Sequence, residues 1–372
     1  MDQLINVLIP DAESHFSLFA AHCLSRQKNI RIHFLGSSAW LPARFSSVCA
    51  SYSVIQPDVD EATRLAKTLD VIQKCHIDVY LPTDTPAIAF AIRHRDALLA
   101  KVALAPLPDE NAFYIANNKW LLAKFLAEND LPGPPTVLIK DTPGISASLA
   151  EMQYPLLLKP VTSWDGDGIV QFEQRDALLR HIDTQKPDFF GKFIAQSITR
   201  GRVVGLNVLA KDGKVLAHTM QSGIIPNVKK FAAAGAVTYF DEPSYLPQIQ
   251  KFVSTFFRTG FANMDTLCDE RGMLNVLDVN ARFWGSLRGV LRTGVNFPYL
   301  ACLAALDIPF EGPHPLPARY FHSKTAIRQF FLRGIGKNLN PPVSPGETGL
   351  VFLFSDPLAE LARIYSQEVL NI

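Results

Sequence analysis

Residues 260–286, Gly-Phe-Ala-Asn-Met-Asp-Thr-Leu-Cys-Asp-Glu-Arg-Gly-Met-Leu-Asn-Val-Leu-Asp-Val-Asn-Ala-Arg-Phe-Trp-Gly-Ser, restrict what this chain can fold into more than any other stretch. Two alternating apolar runs flank the turn cluster Asp269-Glu270-Arg271-Gly272, which predicts antiparallel strands joined by a short loop. Pairing Asp269 with Leu274 across that loop sets Asp265 opposite Asp278. Because side chains alternate faces, Asn280 then shares a face with both aspartates. Like charges placed opposite one another on a half-buried face destabilise a sheet unless a cation lies between them. A hard divalent ion fills that role, since Mg²⁺ takes oxygen ligands, typically one or two carboxylates together with substrate phosphates. Arg282 aims further donors at the same place. On the hairpin alone two readings stay open: a metal site, or a solvated turn aspartate with the register shifted by one.

The rest of the chain supplies the scaffold for such a hairpin. Residues 6–9 read as a strand, 11–24 as a helix and 30–35 as a strand. A helix at 61–74, a strand at 77–81, the loop Pro82-Thr83-Asp84-Thr85 and a helix at 87–99 follow. Such alternation predicts a parallel sheet covered on both faces, hence an α/β domain over residues 1–111. No Gly-x-Gly-x-x-Gly follows the first strand, so a dinucleotide site there is poorly supported. From residue 112 the pattern turns to α+β. Asn117 is placed to cap a helix at 118–129 with Leu121, Leu122, Phe125 and Leu126 as its buried stripe. Lys119 sits in the first turn, where the helix dipole disfavours a cation, so it either meets an anion or is exposed without a role. A strand at 154–159 ends in Lys159-Pro160 and leads through a loop containing Gly166 and Gly168 to a strand at 169–172. Alternate glycines let backbone N–H groups converge on a phosphate, although Asp-Gly repeats are equally ordinary turn chemistry. Strands at 193–198, 203–210 and 214–221, a small-residue loop at 227–236 and a helix at 244–258 precede the hairpin. A short helix carrying Arg288, a helix at 296–306, a proline-rich boundary at 309–317 and a C-terminal amphipathic helix at 357–367 follow it.

At 372 residues, two or three domains are expected. With 36 Lys and Arg against 35 Asp and Glu, bulk charge gives no case for nucleic acid or an anionic membrane. Five cysteines without a Cys-x-x-Cys pair argue against a zinc site or a disulfide framework. No apolar stretch is long enough to span a bilayer, and the N-terminus lacks the basic region of a signal sequence. A cytoplasmic location is the expectation.

Taken in order, these pieces resemble the ATP-grasp superfamily, in particular its carboxylate-amine ligases and the large-subunit domains of carbamoyl-phosphate synthase. The resemblance rests on Lys119 at a helix start, Lys159-Pro160 before a glycine loop, Gln196-Ser197-Ile198 as a hinge strand, Asp265, and Asp278-Val279-Asn280-Ala281-Arg282. It implies a Rossmann-like preATP-grasp domain at 1–111, a two-subdomain ATP-grasp fold at 112–318 hinged near 196–200, and a C-terminal segment at 319–372. It further implies that Lys119, Lys159, Gly166 and Gly168 meet ATP phosphates and that backbone groups of Gln196, Ser197 and Ile198 meet adenine. Asp265, Asp278 and Asn280 would hold Mg²⁺, with Mn²⁺ an alternative, and Arg282 would steady the γ-phosphoryl group. Arg288 and the 227–236 loop are weaker candidates for substrate contact. The implied activity is an ADP-forming ligase that joins a carboxylate to an amine through an acylphosphate, with small-molecule partners only; a homodimer is compatible with it. A nucleotide-binding regulator and a biotin-carboxylase-like activity are the alternatives. Four departures bear on this: Asp278 where Glu is usual, Arg202-Val203 where many members place a ribose-binding acid, Asp167 where glycine is common, and Asn263 where D-alanine ligases carry arginine.

Overall fold

The computed structural model describes residues 4–140, 144–163, 165–337 and 341–369. Three sheets organise them. Strands β1 (Ile5–Ile9), β2 (Ile30–Gly36), β3 (Cys49–Val54), β4 (Val79–Tyr80) and β5 (Ala103–Leu104) form a parallel sheet in the order β3-β2-β1-β4-β5. Strands β6 (Thr136–Leu138), β7 (Leu156–Pro160), β8 (Val170–Phe172) and β9 (Phe193–Ser197) make an antiparallel sheet in the order β6-β9-β7-β8. The third sheet takes β10 (Arg202–Lys211), β11 (Lys214–Ile225), β12 (Ala236–Phe240), β13 (Gly260–Cys268), β14 (Leu274–Asn280) and β15 (Ala318–Phe321). Its order is β14-β13-β10-β11-β12-β15, all antiparallel.

The expected α/β opening is present, and so is the α+β pattern after it. Five short strands without a strong apolar period are not legible in the sequence: β3, β5, β6, β12 and β15. The helix expected at 87–99 is two, Thr85–Arg93 and Arg95–Leu99, divided at His94. The cap of the helix Lys119–Glu128 is Asn118, not Asn117. The Asn118 side chain accepts from the N–H groups of Trp120 and Leu121 at 3.1 Å, whereas Asn117 donates to Phe113. A competing N-cap one residue away is invisible to pattern, because either asparagine satisfies the same orphan donors.

The six-stranded sheet decides where chemistry can occur. One face buries Val204, Leu206, Val208, Met220, Ala262 and Met264 against helices Lys119–Glu128 and Leu246–Thr255. Period-two alternation sends the neighbouring residues to the other face. There, Phe261, Leu209 and Ala217 lie in register and join the apolar core shared with the parallel sheet, where Phe261 stacks on Phe283 at 4.2 Å. The next two rows are polar. Asn280, Asn263, Asn207 and Thr219 lie side by side, then Asp278, Asp265, Gly205 and Gln221. A sheet face that passes from apolar core to polar groups within two rows marks the end of the core and the floor of a cleft.

Candidate active site

Asp265 does stand opposite Asp278, but not by the register that predicted it. The turn closes on Cys268 and Leu274 rather than on Asp269, and the ladder then runs Leu267–Asn275 and Thr266–Val276. A β-bulge that leaves Leu277 unpaired restores Asp265 to Asp278 and Asn263 to Asn280. The bulge lets Leu274 and Val276 face the core on one side of it and Val279 and Ala281 on the other, while Asp278 and Asn280 turn to the cleft. Leu277 itself lines a cavity of about 310 Å³ with Lys119, Thr136 and Gln196.

Cations surround the two carboxylates. Lys119 Nζ lies 3.2 Å from Asp278 Oδ2 and donates to the carbonyl of Ser163 at 2.8 Å, while its backbone N–H donates to Val161 at 2.8 Å. The first turn of that helix is thereby pinned both to the hairpin and to the start of the glycine loop. Lys159 is buried at the end of β7, with Nζ donating to Gln196 Oε1 at 2.6 Å; Gln196 Nε2 in turn donates to Thr136 at 3.0 Å. Burial lowers the Lys159 ammonium to about 8, opposed by Asp278. Asp265 is pushed up to about 6, first because protein surrounds it in the cleft and next because Asp278 repels its charge. Solvent still reaches Asp265, so the repulsion is the part that a ligand can relieve most directly.

Arg282 donates to Asn280 Oδ1 at 3.1 Å and to the carbonyl of Phe283 at 2.8 Å, stacks over Phe16 at 4.7 Å, and approaches Asp84 at 3.7 Å. Asp84 was legible only as part of a loop. It caps the helix Thr85–Arg93 and accepts from Ser14, while buried Asp11 accepts from Thr83 and Asp84 and fixes that turn. Arg282 is thus held where the carboxyl ends of the parallel strands meet the hairpin, the place at which open α/β sheets bind ligands.

Gly166 and Gly168 both have positive φ, 72° and 71°, as a loop presenting backbone N–H groups requires. A side chain at Gly166 would start 2.7 Å from the Phe231 carbonyl, so the loop is packed against the 227–236 loop. Lys229 pairs with Asp167 and lies 3.9 Å from Asp165, and Lys230 donates to Gln171 at 2.9 Å. The Asp167 charge is therefore turned toward a lysine. Trp164 lies outside the described residues. At the end of β9 the N–H of Ser197 donates to Pro135 and that of Ile198 to Pro155, at 3.0 and 3.3 Å. A base meeting this strand finds carbonyl lone pairs rather than those two amides.

Arg288 is not brought to this cluster. It is buried, ion-paired with Glu360 and stacked between Phe19 and Phe352, in a network that also contains His22 and Asp356. Its ion-pair partner Glu360 is supplied by the C-terminal helix Pro357–Val369 and is out of reach of local pattern.

Among the described residues no group of three or more His, Cys, Asp or Glu side chains could hold a metal. Asp265, Asp278 and Asn280 instead form a small oxygen set of the kind that fits Mg²⁺ arriving with phosphates. Lys119 from a helix, Lys159 from the four-stranded sheet and Arg282 after the hairpin thus lie around the two facing carboxylates.

Residues 116–286 match the family model for an ATP-grasp domain. The matched stretch is 171 of the 372 residues, and it is that stretch which is similar to an ATP-grasp domain. An ATP-grasp enzyme of Aspergillus fumigatus, fsqD, is 28% identical over 168 residues. The match takes in 40% of this chain and 28% of that protein, so less than a third of the relative's length is spanned. The L-amino acid ligase from Bacillus licheniformis shares the fold at 19% identity and a TM-score of 0.60, over 86% of this chain and 79% of that one. The biotin carboxylase domain of the 2-oxoglutarate carboxylase of Hydrogenobacter thermophilus, in complex with MgADP, ADP and bicarbonate, does so at 14% identity and a TM-score of 0.64, over 84% and 72%. No helix among the described residues is long and apolar enough to cross a membrane.

Proposed function

We propose that this protein is an ATP-dependent, ADP-forming ligase that joins a carboxylate to an amine through an acylphosphate. The observation that carries this reading is the convergence of Lys119, Lys159, Asp265, Asp278, Asn280 and Arg282 beside a glycine loop. Phosphoryl transfer needs positioning and charge neutralisation more than covalent chemistry, and this set supplies both. Mg²⁺, when bound, neutralises phosphate charge; Asp265, Asp278 and Asn280 are the residues that would hold it. Lys119 and Lys159 bind the phosphates, and arrival of that negative charge returns the Lys159 ammonium toward its ordinary range. The Gly166 and Gly168 backbone excludes water above them. Arg282, preorganised by Asn280 and Asp84, steadies the phosphoryl group as charge shifts. A carboxylate oxygen attacks the γ-phosphorus, the bond from that phosphorus to the bridging oxygen breaks, and ADP leaves. The amine nitrogen then attacks the acyl carbon, phosphate departs, and the nitrogen loses a proton.

The likeness to an L-amino acid ligase supports the amide-forming reading. Biotin-carboxylase-like chemistry is less well supported, because Phe283-Trp284-Gly285-Ser286 lacks the acid that such enzymes place after the arginine. The test is ADP release with pooled carboxylic acids and hydroxylamine as the trapping amine. Hydroxamate formed in proportion to ADP is expected. Mg-ATP binding without carboxylate-stimulated ADP release contradicts the ligase and leaves a nucleotide-binding regulator.

A further inference from the structure

Gln221 ends the row Asp278, Asp265, Gly205, Gln221. Its Oε1 accepts from Ser286 Oγ at 2.8 Å, and the Ser286 carbonyl accepts from Tyr239 at 2.9 Å. Ser286 is buried and lies on the same loop as Arg282. With one end of the amide tied to that loop, the other end is fixed. A Cβ at position 205 would sit 2.9 Å from Gln221 Cγ and 3.2 Å from Nε2, so the side chain lies over Gly205, the residue that pairs with Asp265. Two other amides in the floor already spend their donors, Asn263 on Asn207 at 3.0 Å and Asn207 on Thr219 at 2.9 Å, while Asn280 accepts from Arg282 at 3.1 Å. Gln221 Nε2 has no hydrogen-bond partner among the described residues.

We infer that Gln221 Nε2 contacts the carboxylate substrate, donating to the oxygen that does not attack, with Ser286 and Gly205 as positioning residues. This rests on the ligase reading above. Three features favour a carboxylate as the occupant. The donor comes from two strands away on the side of Asp265 opposite Asp278 and lies over Gly205, whose strand is one spacing, about 4.8 Å, from that of Asp265. It is anchored to the loop that carries Arg282, so both ends of the acceptor and phosphoryl pair are set by one segment. And a neutral amide orients a carboxylate without drawing off the electron density that its attacking oxygen needs, as a full positive charge would.

The experiment uses the full chain, Mg-ATP, hydroxylamine and the carboxylic acid that gives most hydroxamate. Gln221→Ala should raise the KM for that acid about tenfold or more, the loss of a hydrogen bond to a charged group, with the Kd for Mg-ATP within twofold of wild type. Gly205→Ala, which keeps the amide but displaces it, should do the same, and Ser286→Thr should retain more of the function than Ser286→Ala. Weakened Mg-ATP binding with an unchanged carboxylate KM overturns the assignment, since Gln221 then serves the nucleotide. Unchanged constants in both Gln221→Ala and Gly205→Ala overturn it as well. Failure of the wild type to form any hydroxamate overturns the ligase reading itself, and is told apart because no variant is involved.

Discussion

Replacing Asp265 by asparagine should make the ligand-free protein more stable while destroying its response to Mg-ATP. In the folded chain the Asp265 carboxyl is raised from 3.8 to about 6, by its surroundings and by Asp278. An unfolded chain sheds this proton first as pH rises, so stability is lost between about pH 4 and 6 and stays lost above that. A gap of this size corresponds to about 3 kcal/mol without screening, but solvent reaches the carboxylate, and about 1 kcal/mol is the realistic scale. Asp265→Asn removes that cost. At pH 7.5 its Tm should exceed that of wild type by roughly 2 °C or less for a chain of this size, and the gain should vanish near pH 4. Saturating Mg-ATP stabilises a protein by about 2.7 kcal/mol at a hundredfold excess over Kd, and the Mg²⁺-dependent part of that rise should be missing from the variant. Thermal melts at both pH values, with ATP alone and with Mg-ATP, provide the assay. A variant that is less stable at pH 7.5 and still shows the full Mg-ATP rise would refute the reasoning about the facing carboxylates.

Arg288→Ala should destabilise the protein by about 1–3 kcal/mol, because buried Glu360 loses one of its two arginine partners and keeps only Arg363; near-wild-type melting with lost turnover would return Arg288 to the substrate site. Gly166→Ala should raise the ATP KM and speed proteolysis within the 227–236 loop, since the new methyl meets the Phe231 carbonyl at 2.7 Å; unchanged values in both assays would mean that the two loops do not act together. Burial lowers His15 and His322 to about 4, so the native state resists protonation that the unfolded state accepts near 6.5. Their contribution to stability, opposite in sign to that of Asp265, should be full above about pH 6.5 and decline toward pH 4, by up to about 3 kcal/mol for His322, and His322→Gln should remove that part of the melting profile between those limits.

How much of this was legible depended on how local each cause is. Helix Glu61–Lys74 was readable to the residue because its cap and its period lie within one segment. The facing of Asp265 and Asp278 was anticipated through a miscounted turn. The sequence does carry the sign of the bulge, in the adjacent apolar pair Val276-Leu277 that interrupts alternation, but which of the two is extruded depends on the helices packed beneath. Gln196 was read for its backbone alone, and its strut to Lys159 depends on β9 pairing with β7, 37 residues away in the chain. Arg288 shows the limit of local reading: the glutamate that captures it comes from a helix 72 residues further on. Gln221 is polar in a strand of mixed pattern, and only the registers of β10, β11 and β13 bring it to the same floor as Asp265.

The most direct measurement of the central claim is oxygen transfer from the carboxylate. With the substrate acid labelled with ¹⁸O in both carboxylate oxygens, and Mg-ATP and an amine present, attack on the γ-phosphorus carries one labelled oxygen into the released phosphate. The account predicts one ¹⁸O per phosphate in step with ADP and amide formed. Unlabelled phosphate accompanying amide formation would contradict an acylphosphate and, with it, the roles given to Lys119, Lys159 and Arg282.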